Sequence, residues 1–566
     1  MTFDGQTAGP VSATSNTGAQ TGSSVGGTTA GLYVHLTANQ TNPVTFHTTV
    51  ANSASSGIRF NGITIDAGAG TFTLGKGSTT NALDTLWGTT NPESHGLTNN
   101  SANPANINPD VRFRLGAGGA HTFIFAGTGD WYITNDLVSA GGSATLIAKD
   151  GSGAVYWTAG HNSFSGSLTV ISTPLTISGG TLVLRSGNLF PSTTTINNNG
   201  TALVYDAPAS SQNGGSQTIS NPIHGTGNLQ VNHGTLTLSG QNDYTGNIAL
   251  SGGELIVNRA ENIGVNGPLG NGGFISFTGG TLGFSVNNTY DYSPRFTNAP
   301  GQAISIDTAG LDVTFTNALT SSGGTLTKLG SGTLTLSGQG TYTGRTFVDG
   351  GTLIINSGNL AYYTTVLDGT LGGTGTLSGP VTLNAGSTLA PGASASSVGT
   401  LTINGSLTNG GNLAIEVNKS LSPSNDFVVV TGVLTNTGAG TLVVSNLGPA
   451  LAVGDKFTLF SQPVQNGAMM TVTGAGAIWA NNLAGDGSII VTSITRLTLN
   501  FTQTGNSLQF FWNTSFGAFK LQAQTNSLAT GLGANWTDYP GGGTSPVTVP
   551  IGITNGAVFF RLLSTP

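Results

Sequence analysis

Two stretches of the sequence repeat each other, and this repetition limits the possible folds more than any other feature. "GTLTLSGQNDYTGNIALSGGELIV" at 234–257 aligns without gaps with residues 332–355, at an offset of 98 positions. In both stretches, Leu, Ile and Val alternate with Thr and Ser. A period of two places alternate side chains on opposite faces of a β-strand. The repeat therefore predicts short strands with one aliphatic face and one hydroxyl face.

The two copies agree at their aliphatic, aromatic and glycine positions. The alignment pairs Leu236 with Leu334, Leu238 with Leu336, Tyr244 with Tyr342, Gly246 with Gly344, Leu250 with Val348, Leu255 with Leu353 and Val257 with Ile355. A degenerate third copy at 154–170 has Phe164 and Gly166 at the Tyr and Gly positions, and 62–75 resembles a further one. Such self-similarity is typical of stacked arrays, whose units cannot bury their apolar faces alone.

The composition agrees with strands stacked directly above one another. Charged residues make up 7% of the chain, against about 25% in ordinary proteins, and there are 89 glycines. In a parallel β-solenoid, equivalent positions of successive coils lie about 4.8 Å apart. Like charges directly opposite are destabilising, whereas short polar side chains are not, and Gly permits positive φ at corners. We predict an all-β fold, a right-handed parallel β-solenoid (β-helix) with a small C-terminal β-sandwich.

The sequence predicts three parts. Residues 1–115 are irregular, with Asn- and Pro-rich loops such as 89–110, and are interpreted as an N-terminal cap with the first coils. Residues 116–495 are the main solenoid, with about 15 to 19 coils of roughly 20–25 residues each. That count predicts a rod very roughly 70–90 Å long. Residues 496–566 alternate apolar and polar residues between Gly, Asn and Pro turns, which predicts the β-sandwich.

Several classes of function fit the composition poorly. The chain has no cysteine, so disulfides and thiolate metal sites are excluded. Its 15 basic residues are dispersed and its net charge is −7, which argues against nucleic-acid binding. No apolar run approaches the roughly 18–20 residues of a transmembrane helix. "MTFDGQTAGP" has neither the basic nor the apolar region of a signal peptide, so none is visible in this numbering; a missing leader and an incomplete gene model are the two possible explanations.

The phrase "GTLTLSGxxxYTGxTxVxxGTL" resembles the autotransporter-associated β-strand repeat of secreted bacterial surface proteins. The resemblance covers roughly residues 150–495 and includes "LDGTLGGTGTLSG" at 367–379 and "SPSNDFVVVTGVL" at 422–434. It implies a passenger-like β-solenoid and a secreted or cell-surface location. The roughly 70 residues after Ile494 are few for a C-terminal membrane barrel. We therefore expect such a solenoid without the C-terminal membrane barrel.

Parallel β-helices also include enzymes that cleave polysaccharides, and these need clustered carboxylates. The 22 acidic residues are scattered; their nearest groupings are Asp130 with Asp136, Glu254 with Glu261, and Asp307 with Asp312. None belongs to a recognisable catalytic motif. We therefore predict that the protein is not an enzyme and that it has no catalytic residues.

Other candidate residues also have ordinary structural interpretations. Arg112 and Arg114 share a strand face that could hold an anionic sugar or could simply protect an exposed edge. His224 and His233 could approach each other, but a third metal ligand is not evident. The remaining histidines are His35, His47, His95, His121 and His161. Trp87, Trp131 and Trp157 could stack on sugars or lie in the core. We predict no cofactor and no metal, and expect any site to lie in loops such as 89–110 or 285–300.

The sequence therefore predicts a non-enzymatic extracellular or cell-surface structural or adhesive protein. One alternative is a fibre subunit that assembles head-to-tail by strand pairing. Another is a β-helix that binds or degrades polysaccharide. Accordingly, the expected partners are further copies of the chain and polysaccharides of the cell surface or matrix.

Overall fold

The structure, a computed structural model, describes most of the chain after residue 195 and shorter segments before it. The described residues are 2–4, 11–15, 32–36, 44–47, 58–74, 83–87, 93–108, 111–115, 121–134, 145–158, 175–187, 195–356, 359–360, 363–394, 396–494, 498–514, 518–526, 531–552 and 557–564.

The chain divides into two units. The first contains residues 1–334 with 341–344, and the second contains residues 335–340 with 345–566; strand Thr333–Leu336 includes their boundary in the sequence. The described helical segments are short, namely the α-helix Leu483–Asp486 and the 3₁₀ segments Gln212–Gly215, Ser293–Arg295 and Gly467–Met469. Among the residues that the structure describes, no helix has the length and apolar character needed to cross a membrane.

The first unit contains strands of three sheets, and the described strands pair in parallel except near the N-terminus. Thr2–Asp4 pairs antiparallel with Val44–His47, and Val11–Ser15 pairs antiparallel with Leu32–Leu36. In spatial order, the first sheet contains Thr2–Asp4, Val44–His47, Phe72–Leu74, Ala105–Ile107, Trp131–Ile133, Ala154–Trp157, Thr181–Leu184, Ala202–Asp206, Asn228–His233, Ile248–Leu250 and Ile275–Phe277.

The second and third sheets complete this unit. The second sheet contains Val111–Leu115, Leu83–Trp87, Ile58–Ile65, Glu93–Asn99, His121–Ala126, Thr145–Lys149, Leu175–Ile177, Ile196–Asn198 and Ile223–His224, with Leu32–Leu36 and Val11–Ser15 attached through Ile58–Ile65. The third sheet contributes Ser216–Ile219, Thr235–Leu238, Glu254–Val257, Thr281–Gly283, Ala303–Asp307, Asp312–Phe315 and Thr325–Leu329.

The sequence repeat forms successive coils of this third sheet. Thr235–Leu238 pairs in parallel with Glu254–Val257, which places Leu236 opposite Leu255. Both of these side chains are at most 1% exposed. The two apolar runs of one copy therefore stack one coil apart. Because each buried Leu contributes roughly 1.5–3 kcal/mol, such rows provide the main apolar core.

The matched positions of the two copies have the same environment. No matched aliphatic side chain is more than 3% exposed, a set that comprises Leu236, Leu238, Leu250, Leu255, Val257, Leu334, Leu336, Val348, Leu353 and Ile355. Tyr244 and Tyr342 are each 1% exposed. The alternation in the sequence therefore identified the inward face correctly.

The second unit continues the parallel pattern within its own residues. Its strands in one sheet are Arg345–Ile355, Tyr363–Gly373, Val381–Leu383, Thr388–Pro391, Leu407–Asn409, Asn412–Val417, Leu434–Asn436, Thr441–Asn446 and Thr471–Gly474. A second sheet contains Asn359–Leu360, Thr376–Leu377, Thr400–Ile403 and Phe427–Val430. A third, antiparallel sheet contains Lys456–Thr458, Ser488–Ile494 and Ala477–Asn482.

Coil length varies more than the sequence predicted. Strand register places 19 residues between Leu236 and Leu255, whereas 29 residues separate Leu413 from Leu442. Turns between strands can lengthen because the inward row depends on strand register alone. The predicted 20–25 residues per coil is therefore too narrow.

Polar side chains connect successive coils at the turns. In the first unit, Asn228 Oδ1 accepts a hydrogen bond from Asn247 N at 2.9 Å, and Asn247 Oδ1 accepts one from Phe274 N at the same distance. In the second unit, buried Asn409 donates to Asn436 at 3.2 Å. The first two bonds lie at exposed turns, whereas the third satisfies amide groups that would otherwise be buried without partners.

The C-terminal segment forms two antiparallel sheets with a common core. One contains Asn500–Thr504, Ser507–Phe511 and Val547–Pro550, and the other contains Thr537–Asp538, Phe519–Asn526 and Ala557–Ser564. Both sheets contribute to one apolar cluster of buried residues, namely Phe510, Trp512, Leu521, Val547 and Val549. This arrangement is a small β-sandwich.

The predicted parallel β-solenoid is confirmed, and Leu236 and Leu334 lie in the same unit. The right-handed sense and the domain boundaries at 115 and 495 remain predictions.

Candidate functional site

The described tryptophan candidates from the sequence are core residues. Trp131 and Trp157 occupy inward strand positions and are 1% and 2% exposed. The Phe125 ring packs edge-on against Trp131, with centroids 5.9 Å apart. A buried ring cannot stack on a ligand, so these two side chains stabilise the coil interior. The side chains of Trp87, Arg112 and Arg114 lie outside the part of the chain whose side chains are described.

The histidines pair with carboxylates separately. His224 Nδ1 lies 2.7 Å from Asp243, and His233 Nδ1 lies 2.6 Å from Asp206. His35 makes a third such pair, 3.0 Å from Asp66. Across the described residues, no three His, Cys, Asp or Glu side chains converge on a point that could hold a metal ion. His47, His95 and His121 lie on strands described without side chains, and His161 falls outside the described residues.

The carboxylates interact differently from the groupings predicted from the sequence. Glu261 accepts a hydrogen bond from the Tyr292 hydroxyl at 2.6 Å. Burial raises the pKa of Glu254, and the Asp307 charge raises it further. Asp130 accepts from Ala154 N at 2.8 Å, and Asp136 lies outside the described residues. In the structure, Glu254 therefore interacts electrostatically with Asp307, and not with Glu261 as the sequence grouping suggested.

The loop at 285–300, where the sequence predicted a site, is held by hydrogen bonds within itself and to residues 261–273. Tyr292 is fully buried, and its hydroxyl accepts from Asn288 Nδ2 at 2.8 Å while donating to Glu261. Arg295 Nε donates to the Gly273 carbonyl at 2.8 Å, and its Nη2 donates to the Leu269 carbonyl at 2.9 Å. Asn288, Tyr292 and Arg295 therefore stabilise the conformation of the loop through these bonds.

A surface row in the first sheet of the first unit links five successive strands. We define the Tyr132 ladder as Tyr132, Tyr156, Arg185, Asp206 and His233. The two tyrosine rings stack with centroids 4.6 Å apart, and the Arg185 guanidinium lies 4.4 Å from the centroid of the Tyr156 ring. Arg185 Nε lies 3.5 Å from Asp206, which in turn pairs with His233. The row presents ring edges, a guanidinium and an imidazole on rigid strands.

The ladder places opposite charges on neighbouring coils. Asp206 stands between Arg185 and His233, which are 39% and 67% exposed at their side chains. Exposed ion pairs contribute up to about 1 kcal/mol each, so the two pairs add little to the free energy of unfolding. The main effect of placing Asp206 between Arg185 and His233 is that like charges do not lie opposite each other. Sequence analysis missed the ladder because Asp206 and His233 are 27 positions apart.

The β-sandwich has a second polar cluster on one sheet. The Arg561 guanidinium lies 4.4 Å from the Trp536 ring centroid, and its Nε donates to Gln522 at 2.8 Å. Gln522 donates to Asp538 at 2.7 Å, and Lys520 pairs with Asp538 at 3.3 Å. The cluster joins the short strand Thr537–Asp538 to its neighbours, which gives these side chains a structural role.

Two lysines are buried at coil corners with the same local sequence, K-x-G-S-G. Lys149 is 2% exposed and donates to the carbonyls of Asp150 and Gly151, at 2.7 and 3.0 Å. Lys328 is fully buried and donates in the same way to Leu329 and Gly330, at 2.7 and 2.8 Å. Burial lowers the pKa of each lysine to about 8. The K-x-G-S-G motif at 149–153 and 328–332 is the sequence feature from which this pair of corner lysines could have been predicted.

The comparisons with known proteins concern the repeat and one solved structure. A family model described as the passenger-associated-transport repeat matches residues 233–257 and 326–355. A search of the curated proteins found no match. The crystal structure of the Haemophilus influenzae Hap adhesin is similar at 12% identity and a TM-score of 0.25, over 77% of this chain. The chain spans 64% of the length of that structure.

Both repeat matches fall on described strands of the solenoid. The first includes Thr235–Leu238 and Glu254–Val257, and the second includes Thr333–Leu336 and Arg345–Ile355. The chain therefore contains two passenger-associated-transport repeats, and the autotransporter-associated repeats predicted from its sequence are confirmed.

Proposed function

We propose that the protein is a non-enzymatic, secreted or cell-surface β-solenoid protein with a structural or adhesive task. The observation that carries this proposal is the folding of both passenger-associated-transport repeats into solenoid strands. Such coils need few special residues beyond the inward aliphatic row and the tight corners. A weakly charged surface of short hydroxyl side chains is suited to many weak contacts with another surface.

The Tyr132 ladder is the proposed contact region on this surface. Its side chains lie on neighbouring strands or directly after one, and they contact one another, so little conformational entropy is lost when a partner binds. Guanidinium, imidazole and phenol groups can donate hydrogen bonds to hydroxyl-rich or carboxylate-rich partners. Polysaccharides of a cell surface or matrix have this chemistry, and they are the proposed partner class.

Adhesion is tested with host cells that display or lack the protein. We expect surface labelling by an antibody without permeabilisation, and greater retention of displaying cells on polysaccharide-coated plates. The double substitution Arg185→Ala and His233→Ala should reduce retention. Arg345→Ala is the matched control, since Arg345 lies over the Tyr363 ring at 5.4 Å outside the ladder. Equal retention of displaying and non-displaying cells would contradict the adhesive role.

Polysaccharide cleavage is the alternative function, and Glu254 with Asp307 is the pair of interacting carboxyl groups at which it can be tested. Purified protein is incubated with acidic and neutral polysaccharides, and released reducing or unsaturated ends are measured. The proposal expects no release. Release that is lost in Glu254→Gln or Asp307→Asn would replace it with an enzymatic function.

A further inference from the structure

Two carboxyl groups lie together in the interior of the second unit. Glu416, on strand Asn412–Val417, is 4% exposed, and Asp426, just before strand Phe427–Val430, is fully buried. The Asp426 carboxylate accepts hydrogen bonds from Gly399 N and Glu416 N, each at 2.7 Å. The Glu416 carboxyl lies within interaction range of the Asp426 carboxyl, and its Oε2 atom is buried with no hydrogen-bond partner.

The neighbouring elements supply no compensating positive charge. The strands paired with that of Glu416, Thr388–Pro391 and Thr441–Asn446, contain no titratable side chain, and neither does Thr400–Ile403, which pairs with Phe427–Val430. The nearby cations are paired elsewhere. Lys419 lies 2.8 Å from Asp455, and Lys456 lies 2.6 Å from Asp486.

Two negative charges in such a site would repel each other in a medium of low dielectric constant. One proton removes this conflict, because a protonated carboxyl becomes a donor to the other carboxylate. Asp426 already accepts two backbone N–H bonds, which favour its charged form. The charged form of the Glu416 carboxyl is favoured by one backbone N–H, its own, so Glu416 is the group that keeps the proton.

We infer that Glu416 and Asp426 share one proton in the folded protein, and that its loss makes the coils around them a pH-sensitive element that is destabilised in alkali. This inference is independent of the proposed function. Burial and the neighbouring Asp426 raise the pKa of Glu416 well above the ordinary value of about 4.3. The folded state therefore binds a proton that the unfolded state has already released, and stability falls as pH rises. The contribution is complete below the ordinary pKa and is lost as pH rises from that value through the raised pKa of about 9.

Thermal unfolding of the full chain between about pH 5 and pH 9.5 tests this inference. We expect the transition of the second unit to move down by at least about 5 °C over this range. Glu416→Gln keeps the shape and the hydrogen-bond donor but cannot ionise, so its midpoint should change much less. Asp349→Asn, at an exposed carboxylate of the same unit, is the matched control and should follow the unsubstituted chain.

Infrared difference spectroscopy provides a readout that does not depend on stability. A protonated carboxyl band should be present at neutral pH, absent in Glu416→Gln and retained in Asp349→Asn. Absence of this band in the unsubstituted chain would overturn the inference. A rise in the melting temperature on adding Ca²⁺ alone, abolished by Glu416→Gln, would also overturn it by identifying a cation site instead of a shared proton.

Discussion

Gly344 and Gly324 meet through their backbones on successive coils of the first unit. Gly344 N donates to the Gly324 carbonyl oxygen at 2.8 Å, and a β-carbon placed on Gly344 would overlap that oxygen. At the matching position of the other copy, a β-carbon placed on Gly246 would likewise overlap the Gly227 carbonyl oxygen. The Gly of the Y-T-G motif is therefore required by the close approach of two coils.

Replacing either glycine with alanine should separate the coils locally. We expect Gly344→Ala and Gly246→Ala each to lower the free energy of unfolding by about 2–3 kcal/mol, because the backbone must shift to accommodate the methyl group. Chemical denaturation monitored by circular dichroism measures this change. Gly96→Ala is the control, since a β-carbon there meets no atom within 4 Å. Equal stability of all three variants would contradict the close-approach explanation.

The stacked aliphatic row gives a second prediction. Leu236→Ala and Leu334→Ala should each cost about 2–5 kcal/mol, because both side chains are almost fully buried and a cavity would remain. The neighbouring outward residue Thr237 is partly exposed, and Thr237→Ala should change stability by less than about 0.5 kcal/mol. Urea denaturation of the three variants compares the loss in free energy of unfolding at inward and outward positions of the repeat strands. Similar losses at inward and outward positions would contradict the assignment of faces.

Much of this fold could be predicted because its determinants are local in the sequence. The alternation of apolar and polar residues identified the inward face at Leu236 and Leu334. The Y-T-G motif, present in both copies of the repeat, identified Gly246 and Gly344 as equivalent positions. The length of individual coils could not be predicted. A turn may gain residues without changing the register of the strands, as the separations of Leu236 from Leu255 and Leu413 from Leu442 show.

The polar sites were harder to predict because stacking joins distant positions. Asp206 reaches His233 from a neighbouring strand, and no local motif marks the pair. Glu416 and Asp426 are ten positions apart, but their burial depends on how the intervening loop returns to the core. The two lysines were predictable in principle, since K-x-G-S-G occurs twice, but a lysine beside glycines suggests an exposed turn unless its burial is known.

The buried lysines predict a pH dependence opposite in sign to that of the carboxyl pair. Burial lowers the pKa of Lys149 and Lys328 to about 8, below the ordinary value of about 10.4. Between these values the unfolded state binds more protons, so the stability of the first unit should rise with pH. Below about pH 8 the lysines are protonated in both states, so the dependence on pH should level off. Thermal unfolding from about pH 7 to pH 10.5 measures the effect.

The double substitution Lys149→Met and Lys328→Met should remove this rise. Its absolute stability also changes, because the amino groups no longer donate to the corner carbonyls, so the slope with pH is the relevant quantity. Lys456→Met is the control, since Lys456 is 48% exposed. A slope that persists in the double variant would assign the effect to other groups.

The order of charges in the Tyr132 ladder gives the last prediction. Asp206→Lys would place three cationic side chains on neighbouring strands when His233 is protonated, at positions where Asp206 now separates Arg185 from His233. Like charges directly opposite one another are destabilising, so we expect a loss of about 1–2 kcal/mol at low ionic strength. Asp206→Asn is the matched control and should lose less, because it removes the ion pairs without adding repulsion. Added salt should reduce the difference between the variants, because it screens exposed charges. A difference that is unchanged in 1 M salt would show that side-chain packing, and not charge order, determines which residues the ladder accepts.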